Sequence, residues 1–159
     1  MRTYIRILQA RARASDPTEP RGAYNLGNAL YAFGDLTAAI EQYRDSNRLN
    51  PAHTDSLNNM ANALRDAGDR DGSQRTLEQA VTLDPSNVAA LCNLGGLYYE
   101  TENLEMSLQM LDRALALSPS VPEVVCSRAN TLNRLNQSAK AIARTVFLCL
   151  IWIALTSCL

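Results

Sequence analysis

Prolines at 17, 51, 85 and 119 stand 34 residues apart, and this period constrains the fold more than any other feature of the chain. The residues before them are Asp16, Asn50, Asp84 and Ser118, polar side chains suited to a turn ahead of a new helix. A fixed period of this length means stacked supersecondary units, each too small to bury its own apolar face. Laying units from Pro20, Thr54, Val88 and Pro122 brings the rest of the sequence into register.

At the eighth place of each unit stand Gly27, Ala61, Gly95 and Ala129, and at the twentieth Ala39, Ser73, Ser107 and Ala141. All are small, as two helices of a hairpin require where their backbones approach. Places four, seven and eleven carry Ala23, Leu26 and Leu30, then Leu57, Met60 and Leu64, then Leu91, Leu94 and Tyr98. Those offsets share one face at 3.6 residues per turn. Place twenty-four, in the second half, holds Tyr43, Leu77, Leu111 and Thr145. Gly34-Asp35, Gly68-Asp69, Glu102-Asn103 and Asn136-Gln137 lie between the halves and predict a short turn in each unit.

The string Tyr24-Asn25-Leu26-Gly27-Asn28-Ala29-Leu30, with Gly34-Asp35, Ala39-Ile40, Tyr43 and Asn50-Pro51, resembles the tetratricopeptide repeat family. The resemblance implies an all-α, right-handed superhelical solenoid of helix-turn-helix units. Three complete repeats are expected at 20–53, 54–87 and 88–121. Residues 1–19 read as the second helix of a partial preceding repeat, 122–145 as a partial fourth repeat, and 146–159 as an apolar C-terminal helix. In the fourth unit Arg128 replaces an apolar core residue and Ile153 stands where proline is due. Solenoids usually close on a polar cap, so this pattern reads as part of a longer array.

In this family the first helix of each pair lines the concave groove, where the resemblance implies capture of a protein or peptide partner. The groove places select Asn25, Asn59 and Asn93 in one column, Asn28, Asn62 and Asn130 in a second, and Tyr24, Tyr31, Tyr99 and Arg65 beside them. An amide both donates and accepts, so a spaced column suits the backbone of an extended peptide, with tyrosines adding contact area. The same amides also suit hydrogen bonds between adjacent repeats. Relatives that hold the C-terminal carboxylate of heat-shock chaperones place Lys and Arg where this chain has Tyr24, Ala89 and Asn93, so the cations for a carboxylate are missing. The stretch from Ala52 to Asn62 is similar to the repeat domain of O-linked N-acetylglucosamine transferases, which implies a substrate-reading segment separate from any catalytic domain.

Composition excludes several other classes. A net charge of −1 is poor for neutralising phosphates, so no nucleic-acid role is expected. Four cysteines without a C-x-x-C pair read as reduced thiols of a cytoplasmic or nuclear protein. One histidine, His53, reads as a solvated linker residue, and no catalytic residue, cofactor site or metal site is expected. Arg2, Arg6, Arg11 and Arg13 interrupt any secretory apolar run, and Asn136-Gln137-Ser138 is a chance glycosylation triplet. The run Val146 to Leu155 is continuously apolar. As a helix, Thr145 to Leu159 spans about 22 Å, short of the roughly 30 Å bilayer core. Its competing readings are the second helix of the fourth repeat, buried on its own first helix or self-associating into a homo-oligomer, a non-native end, and a membrane anchor behind Lys140 and Arg144.

Overall fold

The computed structural model describes the backbone of residues 20–156 and the side chains of residues 20–139. Seven helices and no strand occur among the described residues. They are α1 (Pro20–Ala32), α2 (Leu36–Leu49), α3 (Thr54–Asp66), α4 (Arg70–Leu83), α5 (Val88–Glu100), α6 (Leu104–Leu117) and α7 (Pro122–Thr156). The expected second helix at residues 1–19 and the apolar side chains of residues 146–159 lie outside this description.

Each hairpin turn works through one backbone condition. The residue at place fifteen adopts positive φ: Gly34 at 81°, Gly68 at 89° and Glu102 at 63°. Glycine takes that conformation without steric cost. The next residue caps the following helix, Asp35 accepting from Ala38 N and Asp69 from Gly72 N. The turns between repeats use proline instead. Asn50, Asp84 and Ser118 are held extended ahead of Pro51, Pro85 and Pro119, as a residue before proline prefers.

Packing then repeats with the period. Gly27 admits the ring of Tyr43, and Gly95 admits Leu111; an added Cβ would meet these side chains at 2.6 Å and 2.9 Å. Leu57, Leu77, Leu91 and Leu111 are each no more than 1% exposed. They form one core cluster with Tyr98 and Met110, while Leu26, Leu30, Ile40 and Tyr43 form a second with Leu64.

The curvature is visible in which helices touch. The first helices of successive repeats contact each other (α1 with α3, α3 with α5, α5 with α7), whereas the second helices α2, α4 and α6 make no such contact with one another. The first helices therefore sit on the inner wall of the solenoid.

Two expectations are corrected. The turn expected at Asn136-Gln137 is not formed, and α7 runs through it as one 35-residue helix. The turn signal weakens along the chain: Gly-Asp twice, then Glu102-Asn103 without a side-chain cap, then Asn136-Gln137. Lacking both the glycine and a short capping side chain, the fourth unit keeps its helical hydrogen bonds. His53 is half-buried rather than solvated, because Tyr24 meets its ring edge-on with centroids 4.9 Å apart. Among the described residues no helix is long and apolar enough to cross a membrane.

Candidate peptide-binding wall

On the inner wall, neighbouring repeats are joined by two rows of side-chain contacts with a shared spacing. Asn59 Nδ2 donates to Tyr24 Oη at 3.2 Å, and Asn93 Nδ2 donates to Asn58 Oδ1 at 2.8 Å. Both partners are 35 residues apart, linking place five of one repeat to place six of the next. The second row links place twelve to place thirteen. Tyr31 Oη donates to Asp66, Arg65 lies 4.0 Å from Glu100, and the Arg134 guanidinium sits 5.1 Å above the Tyr99 ring. Side chains one place apart in register meet because adjacent helices are offset as the solenoid winds.

These rows divide the sequence-predicted residues. Asn28, Asn59, Asn93, Tyr24, Tyr31, Tyr99 and Arg65 are engaged between or within repeats. Asn28 Oδ1 accepts from Tyr43 Oη at 2.8 Å and from Asn59 Nδ2 at 2.9 Å. Asn25, Asn62 and Asn130 make no side-chain hydrogen bond among the described residues, and Asn25 and Asn130 are exposed. The asparagine columns are thus not uniform ladders: part of each closes the repeat interfaces, and part faces the groove.

Two cavities open on this wall at equivalent places. One, of about 240 Å³, is lined by Asn28, Tyr31, Tyr43, Asn59 and Asn62. The other, of about 80 Å³, has Tyr99 and Asn130 where the first has Tyr31 and Asn62, with Gly96, Leu111 and Ser127 among the remaining walls. Between them, at the matching place of the second repeat, lies Arg65 with its partner Glu100.

Local electrostatics keep this wall neutral. Burial pushes the Tyr43 phenol up to about 12, with the neighbouring Tyr24 and Tyr31 adding to it. The Asp66 hydrogen bond raises Tyr31, since a carboxylate acceptor favours the protonated phenol. Burial, and secondarily Glu123, raises the Cys92 thiol, which makes it a poor nucleophile. Two ion pairs join charges across this wall, Arg65 with Glu100 and Arg134 with Glu102.

Sequence reasoning puts Asn58, Asp66 and Glu100 at groove-facing places without singling them out as bonding partners, and it missed Tyr43 as a cavity wall. A comparison of residues at a spacing of 35 rather than 34 would have paired the first three with Asn93, Tyr31 and Arg65. Tyr43 carried no such signal, because its place reads as core.

The tetratricopeptide repeat family model matches residues 5–53 and 58–122. The chain belongs to the tetratricopeptide repeat family. No curated protein sequence matches it. Among solved structures, this tetratricopeptide repeat chain is similar to the first repeat domain of Spaghetti (RPAP3) bound to the HSP90 peptide SRMEEVD. That match has 21% identity and a TM-score of 0.72, covering 76% of this chain and 96% of the other. The first repeat domain of human RPAP3 matches with 20% identity and a TM-score of 0.73, over 79% and 98% of the two chains. The Sgt2 repeat domain of Aspergillus fumigatus matches with 18% identity and a TM-score of 0.73, over 76% and 82%. At these identities the likeness establishes the helical repeat fold. The places where carboxylate-holding relatives carry cations are here the engaged Tyr24 and Asn93 and the exposed Ala89.

Proposed function

We propose that this chain is a non-enzymatic interaction scaffold that binds an extended, largely uncharged peptide segment along its inner wall. The observation that carries the reading is the pair of repeat-equivalent cavities, each with a tyrosine and an asparagine at its mouth: Tyr31 with Asn62, and Tyr99 with Asn130. Arg65 is already paired with Glu100, and Arg134 with Glu102, so an acidic peptide finds no free clamp of cations there. The amides of Asn25, Asn62 and Asn130 are left to pair with peptide N–H and C=O groups, each bond contributing about 0.5–1.5 kcal/mol.

Geometry sets the spacing of the side chains that are read. The cavities lie two repeats apart, and helices pack about 8–10 Å from one another. An extended peptide rises about 3.3 Å per residue, so the two anchored side chains fall roughly five or six residues apart. The first cavity takes the larger of them.

A peptide array followed by fluorescence anisotropy tests this. Tyr31→Ala/Asn62→Ala should weaken the best peptide at least about tenfold, which is the affinity scale of one to two lost contacts. Amidating the peptide's C-terminus should change nothing. Unchanged affinity in the double variant, or binding abolished by amidation, would overturn the reading. The same array addresses substrate reading for a protein glycosyltransferase, in which Ser/Thr-rich segments bind broadly with little sequence preference.

A further inference from the structure

The fourth repeat is not covered by a second helix of its own in the structure, although its sequence supplies one that instead continues along the same helix. In repeats one to three the face at places four, eight and eleven is covered by the second helix: Leu57, Ala61 and Leu64 are no more than 6% exposed, as are Leu91 and Tyr98. The matching face of α7 is open. Val125 is 48% exposed, Leu132 is 39% exposed, and Ala129 between them is exposed too. Beside this face lies a groove of about 560 Å³ with an apolar floor of Leu108, Ala116 and Leu135.

The segment that would cover that face is residues 138–151, the stretch one period after α6. It has Ala141 at the place of Ala39, Ser73 and Ser107, and Ile142 at the place of Ile40 and Leu108. In the structure its backbone continues straight out along α7.

We propose that the seat on α6 and the first half of α7 is filled by the second half of α7 from another copy of this chain, giving a domain-swapped dimer. Tetratricopeptide hairpins are antiparallel, so residues 122–135 of one copy pair with 138–151 of the other. That pairing is symmetric about the point between Asn136 and Gln137, where a two-fold axis passes, and the contact closes on itself. Asn136 is the hinge. It occupies the place where Gly34, Gly68 and Glu102 take positive φ, and asparagine tolerates that conformation better than most residues. Straight and folded forms therefore differ by one weak turn, and burial of Val125, Ala129 and Leu132 is available in either.

The test is sedimentation velocity of the full chain over a micromolar concentration series. The wild type should form a discrete dimer. Asn136→Gly/Gln137→Asp restores the Gly-Asp turn and should yield monomer by letting each chain fill its own seat. Ala129→Arg, at an exposed position that leaves the monomer's core intact, should weaken dimerisation at least about tenfold by blocking close helix approach. A monomeric wild type overturns the proposal. So does a dimer that keeps its affinity in both variants, or association into aggregates without a discrete dimer.

Discussion

Replacing Asn59 with alanine removes two hydrogen bonds at the interface of the first two repeats, those to Tyr24 Oη and Asn28 Oδ1. Each such bond contributes about 0.5–1.5 kcal/mol net. Asn28 Oδ1 keeps its bond from Tyr43, so no buried acceptor is orphaned and the loss is the plain sum, about 1–3 kcal/mol. At about 3 °C per kcal/mol for a chain of this size, the melting temperature should fall by roughly 3–9 °C. Asn25, one repeat earlier in the same column, is exposed and makes no side-chain hydrogen bond among the described residues. Its alanine variant should stay within about 0.5 kcal/mol of wild type. In a solenoid the deficit belongs to one interface, so thermal circular dichroism should be joined by amide exchange. In Asn59→Ala, amides of α1 and α2 should exchange faster while those of α5 and α6 do not. Equal stability of the two variants would refute the division of this column into interface and groove members, and uniform acceleration of exchange would refute its localisation.

Gly27→Ala places a methyl 2.6 Å from the Tyr43 ring; the helix-propensity gain of about 1 kcal/mol is outweighed, and thermal melts should show a net loss of about 1–2 kcal/mol. Glu102→Gly relieves the φ of 63° at the third hairpin turn and loses the exposed ion pair with Arg134, which contributes little; it should stabilise by up to about 1 kcal/mol in urea unfolding. Burial lifts both Tyr43 and Tyr98 from 10.0 to about 12, with the Glu78 hydrogen bond contributing at Tyr98. Their folded values lie above the unfolded value, so the stability they contribute is full below pH 10 and is lost as pH rises toward 12, up to roughly 2–3 kcal/mol each. Ultraviolet titration should show two of the six tyrosines ionising near pH 12, and titration of all six near pH 10 in folded protein would contradict this.

The repeat architecture was legible because it rests on local, additive signals. Small residues at places eight and twenty, apolar residues at four, seven and eleven, and proline every 34 residues each act within one hairpin or one turn. The places of α1 to α6 follow from them. The groove was legible only as a set of residue types. The sequence ranks Asn25 and Asn59 alike, since both stand at place six, yet one is exposed and the other bonds Tyr24 and Asn28. Which amides are engaged depends on the rotation of one first helix against the next, and that rotation brings together residues 35 apart rather than 34. The period alone cannot contain that offset, because it is a property of packing between units. The fourth hairpin failed for a related reason. Asn136-Gln137 is in phase, but phase does not supply the glycine and short cap that make a turn cheaper than another stretch of helix. Sequence by itself thus determined what each repeat is; only the tertiary structure decided how the repeats grip one another and where the last one is left open, because those outcomes balance contacts between units that no single unit encodes.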